Sequence, residues 1–393
     1  MPSNGNGVAR RVGVGHSFAP DAAAAGREAA ERALGAGEAT CLIVFASPDY
    51  ALDELTRSIH ACADGAEVVG CSTAGEIATN GPGDAGVVVL ALGGEGLSVA
   101  TAVAGDASSR LREAGAEAAA CLARVEERPH RVLMLLTDGL AGDQQEIVRG
   151  AYSVVGASVP LVGGCAGDNL AMRETLQLYG DRVLRDSVIG IAISSSAPLG
   201  IGVRHGWREV GEPMLVTESS ATRVFSLDDK PALDVYLERL QAPADAREDP
   251  AAFTRFAMTH PFGVSTRAAE TQIRYIADAD FEERSIGCIA EVPQGGLTWL
   301  MEGDASSVLD ATDGACADAL DALGGNRPLG VLAFDCIARR GVLGEEGIRQ
   351  EIERIGRRVD GAPVAGFYTY GEIARTRGIA GFHNQTLVVL AVS

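Results

Sequence analysis

Three short stretches of this sequence carry residue types able to hold a small molecule. Gly70–Glu76 (GCSTAGE), Gly163–Asp168 (GGCAGD) and Gly366–Glu372 (GFYTYGE) are glycine-bracketed turns, each closing on an acid. Glycine lets the backbone take a positive φ or pass close to another group. The free N–H groups of such a turn can hold an anion, and the acid at its end can hold an ammonium group. The third turn also has aromatic walls, Phe367, Tyr368 and Tyr370, and Phe382–Thr386 (FHNQT) adds polar groups one strand away. Apolar walls with a few convergent polar groups are what a small-molecule pocket requires. The same turns have a plainer use, in which they only reverse the chain and the acid caps backbone amides.

The elements that must position these turns form an internal repeat. Each copy reads as an alanine-rich helix, a solid apolar strand, a polar loop, a second helix, a short strand, the turn and a final apolar strand. The first helices are expected at 22–34, 107–125 and 306–323, and the first strands at Cys41–Phe45, Val132–Leu136 and Val331–Phe334. The second helices are expected near 51–62, 143–155 and 345–359, and the last strands at Val87–Leu92, Val188–Ile193 and Leu387–Val392. Continuous apolar runs predict strands covered on both faces, hence helices on the sheet. The expectation is an α/β (mixed α+β) fold of α-β-α-β-β units with mixed, mainly buried sheets. Leu387–Val392 is expected inside a sheet, since a bare edge that hydrophobic invites aggregation.

Gly70 to Gly163 spans 93 residues and Gly163 to Gly366 spans 203, so extra material separates the second and third copies. Leu199–Val216 and Thr271–Met301 read there as antiparallel strands, and Ala242–Pro250 as an exposed loop. Two domains are expected, 1–226 and 227–393. In parallel strand-helix-strand units, ligands collect at the carboxyl ends of the strands. Those ends carry Ser47–Asp49, Thr137–Gly139 and Asp335–Arg340 besides the three turns.

Composition narrows the partners. Lys+Arg total 33 and Asp+Glu 53, a net charge of −20 that opposes binding to nucleic acid or an anionic membrane. No apolar run reaches the roughly 18 to 20 residues of a membrane span, and no signal-like apolar core follows Arg10 and Arg11. A cytoplasmic location is therefore expected. Eight cysteines without a CxxC pair, and six scattered histidines, predict reduced thiols and no metal. The glycine pairs, Gly13 and Gly15 among them, make neither GxGxxG nor GxxxxGK[ST], so no nucleotide cofactor is expected.

Gly70–Ile77 and Gly164–Asp168 resemble the FIST N-terminal domain. His260–Val264, Phe334–Arg339, Gly366–Ile373 and Phe382–Thr386 resemble the FIST C-terminal domain. The resemblance spans roughly residues 30–390. It implies a bacterial sensory module that binds a small ligand such as an amino acid and signals to a separate output protein, since no output domain follows the last strand. Carried over by position, it implies a C-terminal pocket of Cys336, Arg339, Tyr368, Thr369, Tyr370, Glu372, His383, Asn384 and Gln385. Arg339 would fork onto a carboxylate, Glu372 would take the ammonium, and the tyrosines would cover the side chain. Cys71, Ser72, Thr73, Glu76 and Asp168 stand at the equivalent turns of the N-terminal half, as a second site or only as caps. Two rival readings remain. One is an enzyme with Cys336 as nucleophile and His383 as base, which needs a thiolate stabilised by a neighbour; the other is a scaffold for a protein partner.

Overall fold

The computed structural model describes residues 9–35, 37–83, 85–265, 271–376 and 381–393. The repeat is present three times, with more strands than the sequence suggested. Unit one runs from the strand Arg11–Ser17 through the helix Ala22–Leu34, the strand Cys41–Ala46, the helix Leu52–Cys62 and the strand Glu67–Ser72. A hairpin, Glu76–Ala78 with Gly81–Gly83, then precedes the closing strand Val87–Gly93. Unit two repeats this order from Leu97–Ala104 to Val188–Ser195, and unit three from Leu199–Arg204 to Leu387–Val392.

The leading strand of each unit was missing from the expected α-β-α-β-β pattern. In Arg11–Ser17 the reason is glycine, which weakens the strand signature but is required by packing. A Cβ on Gly13 would stand 2.0 Å from the Ala33 carbonyl oxygen, and one on Gly15 2.1 Å from that of Ala29. The alanine-rich helix lies directly on the strand, as its composition implied.

Each unit sends its hairpin to a neighbour's sheet. Unit one's hairpin pairs with Val364–Thr369 of unit three, unit two's Gln177–Tyr179 with Glu67–Ser72 of unit one, and unit three's Glu372–Arg375 with Leu161–Cys165 of unit two. The result, among the described residues, is three six-stranded sheets, each closed at one edge by foreign strands. Leu387–Val392 is internal, between Leu199–Arg204 and Gly330–Cys336.

Strand alternation sorts the side chains into two faces. Ile43 and Phe45, Met134 and Leu136, and Leu332 and Phe334 face one shared core that all three sheets enclose. Phe45 stacks on Phe367 at 4.8 Å and meets Phe334 edge-on at 6.3 Å within it. The alternate residues, such as Leu42 and Val44, face the helices of their own unit outside. Two facing layers per sheet explain why the strands read as solid apolar runs.

The extra material between the second and third copies is a separate sheet with its own core. It runs from Arg208–Ser220 to Leu297–Glu302, carries the helices Ala232–Arg239 and Pro250–Ala257, and is inserted between the first strand and first helix of unit three. Position 226 falls inside its strand Arg223–Leu227. Within Ala242–Pro250, Ala242 and Ala246 are buried, which pins this stretch to the inserted core. Unit three's second helix begins beyond a kink at Gly344, near 345 as expected, and a separate helical stretch from Ile337 precedes it. The helix beyond the kink runs to Arg358.

Candidate functional site

A cavity of about 820 Å³ opens where unit two, unit three and the inserted sheet meet. Unit two contributes the loop after its strand His130–Thr137, Gly139 to Asp143, and the start of the following helix, including Glu146 and Arg149. Unit three contributes Cys336, Ile337, Ala338, Gly341, Tyr370 and Phe382. The inserted sheet roofs the space with Thr222, Met258, Tyr275, Cys288, Ala290 and Glu291. Leu140, Leu170, Met172 and Ile289 also line it, and each of these large apolar side chains is exposed. Exposed apolar groups clustered around a concavity differ from the single scattered ones of ordinary surface.

Leu170 and Met172 are held out by a strained loop. Asn169, Leu170 and Met172 all take positive φ (54°, 64° and 52°), a cost that non-glycine residues bear only where the surroundings enforce it. Asp168 enforces it by accepting from the backbone N–H groups of Met172, Arg173 and Glu174 at 2.7 to 3.0 Å. Tyr370 in the cavity wall donates to Asp168 and accepts from the Leu170 N–H at 2.8 Å. Burial pushes the Asp168 carboxyl up, but the Tyr370 hydroxyl and the three N–H donors outweigh it and leave the group below its ordinary range.

Of the nine residues expected to form one pocket, Cys336 and Tyr370 line this cavity. Glu372 lies fully buried behind Cys336. It accepts from Thr369 Oγ1 at 2.5 Å and from Thr386 N and Oγ1 at 3.1 and 2.8 Å. Burial raises its proton affinity to a pKa of about 7 despite these donors. Unit one contains the same device. Thr73 Oγ1 donates to Glu76 at 2.5 Å, and Gly86 N donates to its other oxygen at 2.9 Å. These glutamates tie the turn to the next strand, which is the capping role, and Glu372 has no exposed face for an ammonium group.

Arg339 also departs from its expected role. Its guanidinium is fully buried and meets Asp335 and Glu351 at 2.6 Å each and Thr312 Oγ1 at 2.9 Å. The two internal carboxylates take the place of the ligand carboxylate assigned to it. Burial alone would lower its pKa, but the two acids reverse that and hold it firmly charged. Tyr368 sits beside this cluster on the helix-facing side of its strand, under the Arg340 guanidinium at 5.1 Å, and is not a wall of the cavity. His383 Nε2 pairs with the Ala374 carbonyl at 2.8 Å, and among the described residues no hydrogen bond joins it to Cys336. Burial lowers its pKa to about 4 and pushes the Cys336 thiol up, with the Glu372 charge adding to the latter. A protonated thiol and a neutral histidine bonded elsewhere do not make a nucleophile and base. Asn384 donates to the His383 carbonyl, and Gln385 donates to the Met258 carbonyl at 2.8 Å, which ties unit three to the inserted sheet.

The equivalents in the N-terminal half form a joint between units. Ser72 Oγ donates to the Gly167 carbonyl and accepts from Leu176 N, while Cys71 lies in the shared core. Sequence reasoning had marked Thr137–Gly139 as a strand-end loop, and Gly139 does line the cavity. It missed Arg149 and the inserted roof, because nothing in the sequence says which segment folds over which strand end.

Comparison with known proteins supplies the family context. Residues 40–230 match the FIST N domain and residues 232–375 the FIST C domain. Uncharacterized proteins from two strains of Mycobacterium tuberculosis are each 25% identical over 391 residues, 96% of this chain and 98% of theirs. An uncharacterized protein of Methanocaldococcus jannaschii is 28% identical over 83 residues, 21% of this chain and 16% of its own length. Among solved structures, a cyanuric acid hydrolase from A. caulinodans aligns with a TM-score of 0.28 and 11% identity, over 49% of this chain and 72% of that one. No helix among the described residues is long and apolar enough to cross a membrane, and no group of three or more His, Cys, Asp or Glu there is placed to hold a metal.

Proposed function

The chain belongs to the FIST family, whose domains are sensory domains of signal transduction, and from that premise we propose that it senses a small ligand in the cavity under the inserted sheet. The observation that carries this reading is the cavity itself: about 820 Å³, with apolar walls, a strained loop presenting Leu170 and Met172, and charged groups at its side. That volume lies within the range of roughly 300 to 1,000 Å³ typical of small-molecule sites.

The ligand class we favour is an amino acid with an apolar side chain. Asp143 and Glu291 offer carboxylates for its ammonium group, and Arg149, a cavity residue already beside Glu146, offers a guanidinium for its carboxylate. Leu140, Met258 and Phe382 would cover the side chain. The occupied state would then be read by a separate output protein.

A thermal-shift screen against the twenty amino acids tests this, because a ligand that binds only the folded chain raises its stability. Apolar amino acids are expected to give a concentration-dependent shift. Ala290→Trp, which fills the cavity from its roof, is expected to remove it, and Arg149→Ala to weaken it by about tenfold in affinity, the loss of one charge-assisted contact. A shift that survives Ala290→Trp would place the ligand elsewhere.

A further inference from the structure

The cavity has one wall built unlike the others. Residues 337–343 form a short helical stretch that presents Ile337, Ala338 and Gly341 to the cavity, and the helix then breaks at Gly344. Gly344 takes φ 62° and ψ −179°, a conformation that essentially only glycine adopts, so the backbone on its two sides does not form one rigid rod. A pivot thus separates the wall from the longer stretch that follows.

Two side chains bridge that pivot: Arg340 reaches Glu345 at 3.7 Å near the surface, and Arg339 makes the buried crossing. Arg339 leaves the wall segment and meets Glu351, beyond Gly344, and Asp335 at the end of the preceding strand, both at 2.6 Å. Thr312 on the neighbouring helix Ala305–Asp321 completes the latch, accepting from Arg339 at 2.9 Å and donating to Glu351 at 2.6 Å. Burial pushes the Asp335 carboxyl well up and a hydrogen bond with Glu351 raises it further, so the two acids are paired through a proton, while the Tyr368 hydroxyl beside them is buried without a hydrogen-bond partner. An unpaired buried hydroxyl makes the closed arrangement less favourable than full pairing would. The neighbouring Arg340 leaves the same segment in another direction, stacks on Tyr368 at 5.1 Å and donates to the Ala74 carbonyl of unit one at 3.2 Å. The opposite side of the segment touches the insertion, where a Cβ on Gly341 would meet Met258 Sδ at 2.8 Å.

We infer that residues 337–343 are a hinged wall, pivoting at Gly344 and latched by Arg339 to Glu351, through which occupancy of the cavity is passed by Arg340 to the turn of unit one. Arg339 is then a positioning residue that sets the wall and never touches the ligand. The inference rests on the cavity being the ligand site, but its mechanical part is testable without any ligand.

Cys336 precedes the wall, buried at the cavity surface, while Cys41, Cys71 and Cys165 are buried away from it. Alkylation of the native protein by iodoacetamide, followed cysteine by cysteine with mass spectrometry, reports opening at each place. Glu351→Gln weakens the latch, and Thr312→Val removes its two hydroxyl bonds with a smaller disturbance should the first variant fold poorly. Either is expected to speed Cys336 alkylation by about tenfold, the factor for one charge-assisted hydrogen bond, with Cys41, Cys71 and Cys165 unchanged. An unchanged Cys336 rate, or a rise shared by all four cysteines, overturns the hinge, since the second result is general loosening of the fold. The amino-acid screen can succeed or fail independently of either result.

Discussion

Glu372 shows how a residue's type and position can suggest one role while its neighbours assign another. A glutamate ending a glycine-bracketed turn beside aromatic residues has the look of an ammonium receptor, yet the hydroxyls of Thr369 and Thr386 both point at it from inside the protein. The recurrence of Thr73 with Glu76 is the clue, since two equivalent pairs at 2.5 Å are more economically explained by a turn that must be tied down. The pH dependence follows from the proton Glu372 holds. Its pKa rises from 4.5 to about 7 on folding, so the folded chain binds that proton more tightly than the unfolded one. Its contribution to stability is therefore greatest below about pH 4.5 and falls as pH rises towards about 7, by roughly 3 kcal/mol across the window. Glu372→Gln cannot ionise, so the slope of denaturation midpoint against pH over that window is expected to flatten; an unchanged slope assigns it to other groups. Arg339 was legible as an important residue but not as an internal one. Which way it points depends on Glu351, twelve positions later and beyond the kink at Gly344.

Among elements, the helices were legible and the hairpins were not. Ala22–Leu34 was read with the bounds it has, because its alanines recur along one face and Asp21 caps its start. The swapped hairpins are only two to four residues per strand, and Gly81–Gly83 is a Gly-Pro-Gly strand that no propensity favours. They form because a neighbour's sheet edge offers them partners. The loop 166–176 departs from the other two turns, and there the departure serves the cavity. Tyr370 is the fastening, so Tyr370→Phe, which keeps the ring and deletes both hydroxyl bonds, is expected to cost about 1 to 3 kcal/mol. Backbone amides of residues 168–174 should then exchange faster with deuterium, and equal protection in both proteins would show that Asp168 alone holds the loop.

For the whole molecule, the repeat was readable and its closure was not. Apolar runs announced sheets covered on both faces, but whether the second face met helices or other sheets depended on how three copies assemble. One core shared by three sheets makes the inner residues common property. Phe334 touches Phe45 of unit one and Phe367 of its own unit, so Phe334→Ala is expected to cost about 3 to 5 kcal/mol and to broaden or lower the single unfolding transition. Two separate transitions, with unit one unaffected, would contradict a common core. Removing residues 387–393 takes out an internal strand and uncovers two apolar neighbours, and expression of that truncate is expected to give insoluble protein.

The exchange of hairpins around the three units also bears on inheritance. A segment crossing from each copy into the next means that no cut in the chain yields two self-sufficient halves: each half would carry away a strand pair belonging to the other and lack one of its own. Recombination between relatives that differ at three positions in four would join sheets to hairpins that had never been selected together. The two FIST domains are therefore expected to travel through evolution as a pair, and a chimera taking one from each parent should recover only when the hairpins at residues 76–83 and 372–383 are moved along with the sheets they complete.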